Sequence, residues 1–164
     1  CLVGSEMCIR DRDYIYWKTQ IRVFLFFFLS TFCIQAQSIE EIRKAYTTAS
    51  ESKEQKERFY QLMQGATMDT SVKEAYKGAS LMMYSKQSGK LRTMLKEGKA
   101  LIEGAIGKEP QNIELRMIRL SVQEHLPKVV PYRANIEEDR KFIQDHLSQQ
   151  PQSLKKYIEN YIND

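Results

Sequence analysis

Residues 91–126 read LRTMLKEGKALIEGAIGKEPQNIELRMIRLSVQEHL, two helical patterns back to back across Pro110-Gln111-Asn112. In the second, at 100° per residue, Ile113, Met117 and Leu120 form one apolar arc. Leu115, Ile118, Val122 and Leu126 form another. Two polar strips separate them: Arg116, Arg119 and Gln123 on one side, Glu114, Ser121 and His125 on the other. A helix that is apolar on two sides has to be sandwiched between neighbours. The rest of the chain is therefore expected to pack around residues 111–126.

Working outward, the first half of the stretch predicts a helix over 91–106. Leu91, Leu95, Gly98, Leu101, Ile102 and Ala105 lie on one face, Gly107 ends it, and Pro110 opens the next segment. Upstream, Asp69 or Thr70 caps a helix that runs to Ser85, with Val72, Ala75, Tyr76, Ala79, Met82 and Met83 at helical spacing. Gly78 inside it costs about 1 kcal/mol against alanine, which points to a close helix crossing. A helix over 52–64 carries Phe59, Leu62 and Met63, with Gly65 as its C′ residue. Before it, Ser38-Ile39-Glu40-Glu41 reads as a capping box ahead of Ile42 and Tyr46.

Downstream, Pro127 and Pro131 enforce a break through Arg133. Asn135-Ile136-Glu137-Glu138 repeats the capping-box pattern and leads into Phe142, Ile143 and Leu147. Pro151-Gln152-Ser153 opens a last helix whose apolar face is Leu154, Tyr157, Ile158, Tyr161 and Ile162. Neither alternating strands nor hairpin turns are signalled. The expected fold is all-α, about seven antiparallel stacked helices.

The N-terminal region reads differently. Leu2–Asp11 resembles the translation of a transposase adaptor used in shotgun sequencing, so residues 1–12 are set aside as a non-native scar. Lys18 and Arg22 then precede the apolar run VFLFFFLSTFCI at 23–34, and Ala36 offers a small residue before Gln37. That is the layout of a signal peptide over 13–36, its run too short to span a bilayer. Cleavage is favoured over a retained anchor and over lipidation at Cys33, which Phe32 precedes. A single domain over 37–164 follows, long enough to bury about two-thirds of its unfolded surface. Cys1, Cys8, Cys33 and Trp17 all lie upstream of it. The domain thus has neither disulfide nor thiolate metal ligand to staple it. Its 21 basic and 18 acidic residues leave a net charge of +3, too mild to indicate nucleic acid as a partner. No transmembrane span is expected in it, and its oligomeric state is open.

Gly98, Ile102, Ala105 and Pro110 resemble the small, large, small and proline positions of a tetratricopeptide repeat. Ala75, Gly78 and Ala79 stand for the preceding helix of the unit, and Leu120 occupies a place where a following repeat would carry a small residue. The resemblance covers about 40 residues. It implies helical hairpins stacked as an α-α superhelix, with a protein-binding or scaffolding role and no catalytic residues. The whole chain also resembles short exported helical proteins of Gram-negative bacteria, which implies the periplasm or secretion.

Several side-chain groups invite a chemical reading. His125 and His146 lie on different helices without metal-ligand spacing, so no metal or other cofactor is expected. Glu40-Glu41 and Glu137-Glu138-Asp139 sit in first helical turns, where the dipole favours negative charge. There is no Gly-x-Ser-x-Gly elbow and no phosphate-binding glycine loop. Tyr157 and Tyr161 are spaced as core residues. Lys86, Lys90, Arg92, Lys96 and Lys99 form a basic face that could receive an anion. Arg116, Arg119 and Gln123 are the favoured partner-binding strip: arginines between apolar arcs either pair internally, with acids such as Glu103 or Glu114, or line a groove. The expected function is that of an exported, non-enzymatic helical module that binds another protein. The alternative is a binder of an anionic ligand or envelope component through the basic face.

Overall fold

Local sequence sets where the helices begin. The computed structural model describes residues 38–163. Over them run α1 (Ile39–Thr48), α2 (Lys53–Gly65), α3 (Ser71–Tyr84), α4 (Leu91–Lys108), α5 (Ile113–His125), α6 (Ile136–His146) and α7 (Gln152–Asn163). A 3-10 turn at Leu147–Gln149 joins the last two, and no strand occurs among the described residues. The fold is all-α. The adaptor-like tract, the segment expected to be a signal peptide, the three cysteines and Trp17 lie outside the described residues.

Four helices start on a side-chain oxygen that takes an orphan backbone N–H of the first turn. Ser38 accepts from Glu41 at 3.2 Å, Ser52 from Gln55 at 3.1 Å, Thr70 from Lys73 at 3.3 Å, and Asn112 from Glu114 at 3.0 Å. Asn135 departs from the expected capping box. Its side chain makes no cap bond, and its amide donates instead to the Glu138 carboxylate at 3.0 Å. Two glycine stops are corrected as well. Gly65 is the last residue of α2, and Gly107 lies within α4, which runs on to Lys108. Neither adopts the left-handed conformation; among the described residues only Gly89 does, at φ 71° in the α3–α4 loop.

α3 and α4 form the most extensive helix pair, and glycine explains how close they come. A Cβ added at Gly78 would lie 2.6 Å from the Gly98 carbonyl oxygen, and one added at Gly98 would lie 2.5 Å from the Gly78 oxygen. The two backbones touch, which is the crossing that Gly78 foretold. Leu91 does not join the inward face of α4: it is 49% exposed, and Met94 is buried in its stead. A matched pair of substitutions follows. Gly78→Ala is expected to destabilise the domain by about 1–3 kcal/mol, because neither backbone can yield cheaply. Gly104→Ala meets nothing within 4 Å and should stabilise it by about 1 kcal/mol. Urea midpoints of the two variants should therefore move in opposite directions.

α5 is the centre of the domain. It packs against α3, α4, α6 and α7, and two of its side chains bond to α1. Both apolar arcs are buried, from Ile113 through Val122. The polar strips are enclosed too: Glu114, Arg119, Ser121 and Gln123 are all buried. An isolated amphipathic helix needs to hide one stripe. This one hides nearly its whole circumference, so its polar side chains must find partners inside the protein.

Candidate functional site

On the first strip the partners come from α6 and α4. Asp139, with no exposed surface, accepts from Arg119 Nε at 2.6 Å and Arg119 Nη2 at 2.7 Å. Arg116 Nη1 reaches the same carboxylate at 3.1 Å and Glu138 at 2.9 Å. Arg119 Nη1 continues to Glu103 at 3.0 Å, and the Tyr132 hydroxyl donates to the other Glu103 oxygen at 2.6 Å. Burial works against the Arg119 charge, but the bonds and charges of Asp139 and Glu103 outweigh it and hold its pKa above the ordinary value. Asn135 and Arg116 hold the Glu138 carboxyl below the usual carboxylate range. Arg116 also lies over the Phe142 ring, 5.0 Å from its centroid.

This enclosure corrects the reading of Arg116, Arg119 and Gln123 as a partner-binding groove. Arg119 is 4% exposed and Gln123 not at all, because α6 lies across the strip. The internal alternative is the one the fold adopts, with Glu103 as a partner but Glu114 elsewhere. Gln123 has no protein hydrogen-bond partner for either side-chain amide atom.

Glu114 belongs to the opposite strip. Arg43 of α1 binds it in a two-pronged ion pair, Nε to Oε1 at 2.8 Å and Nη2 to Oε2 at 2.6 Å. The Tyr76 hydroxyl adds a bond to Oε1 at 2.8 Å and meets the Tyr157 hydroxyl at 2.9 Å. Two turns along α5, Ser121 Oγ bonds the hydroxyls of Tyr46 and Tyr161. Tyr157 and Tyr161 are thus partly buried residues packed against the core, their polar ends satisfied within a network joining α1, α3, α5 and α7. Burial pushes the phenol pKa of Tyr46, Tyr76, Tyr157 and Tyr161 upward. The hydrogen bond and charge of Glu114 hold Arg43 protonated. The two histidines turn back on their own helices, His125 Nδ1 to the Ser121 carbonyl and His146 Nδ1 to the Phe142 carbonyl, each at 2.8 Å.

The basic residues are displayed differently. Lys86, Lys90, Arg92, Lys96 and Lys99 are all exposed. None of the five takes part in an ion pair among the described residues, where Arg43, Lys73, Lys108, Arg116, Arg119, Arg140 and Lys155 do. Arg92, Lys96 and Lys99 recur at i, i+4 and i+7, one face of α4 rising about 10 Å along its axis. Glu97, the single acid between residues 86 and 99, falls on another side. The first turn of α4 has neither an acidic residue nor a side-chain cap. Like-charged side chains are held together there without a counter-charge.

Beyond Lys99 the face meets a depression of about 350 Å³ between α4 and the loop that follows α5. Lys99, Glu103, Arg119 and residues 131–135 line it, and the Lys99 ammonium stands 5.1 Å from the centroid of the Tyr132 ring. This depression was not foreseen in the sequence. The proline-bounded loop announced itself, but its folding back onto Glu103 depends on Tyr132, which has no local signature. Comparison of the chain with protein-family models, with curated proteins and with solved structures gives no match.

Proposed function

We propose that residues 38–163 form a non-enzymatic binding domain of an exported protein, and that it engages an anionic envelope component through the basic face of α4. The observation that carries this reading is the exposed, unpaired set Lys86, Lys90, Arg92, Lys96 and Lys99. The non-enzymatic part is supported by the fate of the two buried carboxylates. Asp139 and Glu114 are each neutralised by arginine, which suits a structural role better than proton transfer. Export rests on the leader-like composition of residues 13–36. Helical stacking of the tetratricopeptide kind belongs to the same proposal and is supported by the Gly78–Gly98 contact.

Each lysine or arginine near an anionic surface contributes about 1 kcal/mol of attraction, so reversing three charges removes well over about 3 kcal/mol. Residues 37–164 are expected to sediment with phosphatidylglycerol-containing vesicles at low salt and to be released as salt approaches about 0.5 M. The Lys90→Glu/Arg92→Glu/Lys96→Glu variant should lose more than about 100-fold in partitioning while keeping its helical circular dichroism. Equal partitioning of both proteins would remove the basic face from the function.

A protein partner is the second reading, and Val129 favours it: this side chain is 85% exposed in the loop bounded by Pro127 and Pro131. A contact made there should survive high salt and be lost in Val129→Ser.

A further inference from the structure

We propose that the depression beside Lys99 is a binding site for a small organic monocarboxylate. The inference deepens the anion-binding reading and rests on it, since Lys99 belongs to both the basic face and this site. Charge is the first argument. The ion-paired interior next to the depression sets Arg116 and Arg119 against Glu103, Glu138 and Asp139, an excess of one negative charge. Lys99 and Arg133 stand on the same lining and reverse it to an excess of one positive charge. A single negative charge from a ligand neutralises the site, whereas a phosphate monoester would carry nearly two.

Donors are the second argument. Both Glu103 oxygens are already taken, by Tyr132 and by Arg119, so the one carboxylate on the wall offers little repulsion. Arg119 uses three of a guanidinium's five N–H groups on Asp139 and Glu103. Arg133 gives one N–H to the Leu126 carbonyl at 2.7 Å and joins no ion pair among the described residues. Arg133 therefore keeps the planar donor fork that matches a carboxylate, with Lys99 as a second cation. Pro131 and Ala134, both exposed, give the ligand body an apolar wall. The volume is at the small end of ligand sites, which fits a single-ring acid and not a chain.

Benzoate and its neutral isostere benzamide are the probes. Each is titrated at constant ionic strength into the full chain, and backbone amide chemical shifts are followed. Benzoate should give saturable shifts centred on residues 131–135 and on Lys99, with a dissociation constant of about 1 mM, and benzamide should bind at least about tenfold more weakly. Lys99→Gln and Arg133→Gln should each weaken benzoate about three- to tenfold. Arg92→Gln/Lys96→Gln should leave it unchanged while impairing vesicle binding. Non-saturating shifts, equal binding of the two probes, or shifts centred elsewhere overturn the proposal. Vesicle binding without benzoate binding overturns this site alone; loss of vesicle binding with benzoate binding intact overturns the envelope reading alone.

Discussion

Asp139→Ala is expected to destabilise the domain by about 3–5 kcal/mol, among the largest effects available to a single substitution here. The carboxylate has no exposed surface and accepts bonds from two arginines, one of them almost fully buried. Removing it leaves Arg119 with Glu103 at 3.0 Å and the Glu138 carboxylate at 4.0 Å, and strips its Nε and Nη2 groups of their hydrogen-bond acceptor. The penalty comes from the stranded cation and not from the worth of the ion pair. Arg119→Met/Asp139→Leu should consequently regain most of the loss, since apolar residues of similar volume often replace a buried pair at little cost. Urea unfolding of the wild type, the single variant and the double variant measures this directly. If the double variant is as unstable as Asp139→Ala, the cluster supplies real net stability and the desolvation argument fails. A typical domain has only about 5–15 kcal/mol in hand, so the single variant approaches the edge of folding.

Alkaline pH should unfold the domain steeply, beginning near the ordinary tyrosine pKa of about 10. Tyr46, Tyr76, Tyr132, Tyr157 and Tyr161 all have their pKa raised in the folded state, primarily by burial. The unfolded chain then releases phenolic protons first and holds fewer of them than the folded one. Stability from these groups is complete below about pH 10 and falls as pH rises, by up to about 1.4 kcal/mol per pH unit for each tyrosine. With five of the chain's nine tyrosines acting together, the tyrosinate absorbance of these five and the loss of helical circular dichroism should develop in one shared transition. Ionisation of these five in a still-helical protein would show that the hydroxyl network is open to solvent.

Periodicity alone makes α5 legible in the sequence. Two apolar arcs on one helix demanded neighbours on both sides, and α5 has them. Gly78 was equally readable, because an unexplained helix breaker inside a strong pattern implies close backbone approach. The arginine partners were only half readable. Glu103 is among the acids the sequence offers to the strip and does bind Arg119, but Glu114 goes to Arg43, which is 71 residues away in sequence. Asp139 was explained by the helix dipole alone. Its spacing from Ile136 and Ile143, three before and four after, puts it on the inward stripe of α6, and a carboxylate there needs a buried cation. Glycine stops misled at Gly65 and Gly107, since glycine permits a left-handed turn without requiring one. Side-chain pairing between distant helices leaves no local trace, and the candidate site consists largely of such pairing.

The way both ends of the domain close on α5 also governs the order in which it can fold. Arg43 waits for Glu114, and Tyr46 waits for Ser121, 75 residues later; Tyr161 then arrives on the same serine from 40 residues further on. Consecutive helix pairs, α3–α4 above all, can mature early from contacts local in sequence. A chain emerging from the ribosome therefore holds its first helix unclasped through most of synthesis, and completes its interior only when the final turn of α7 has appeared. Such late closure keeps the nascent chain extended and open to chaperones for longer than sequential stacking of helix pairs would.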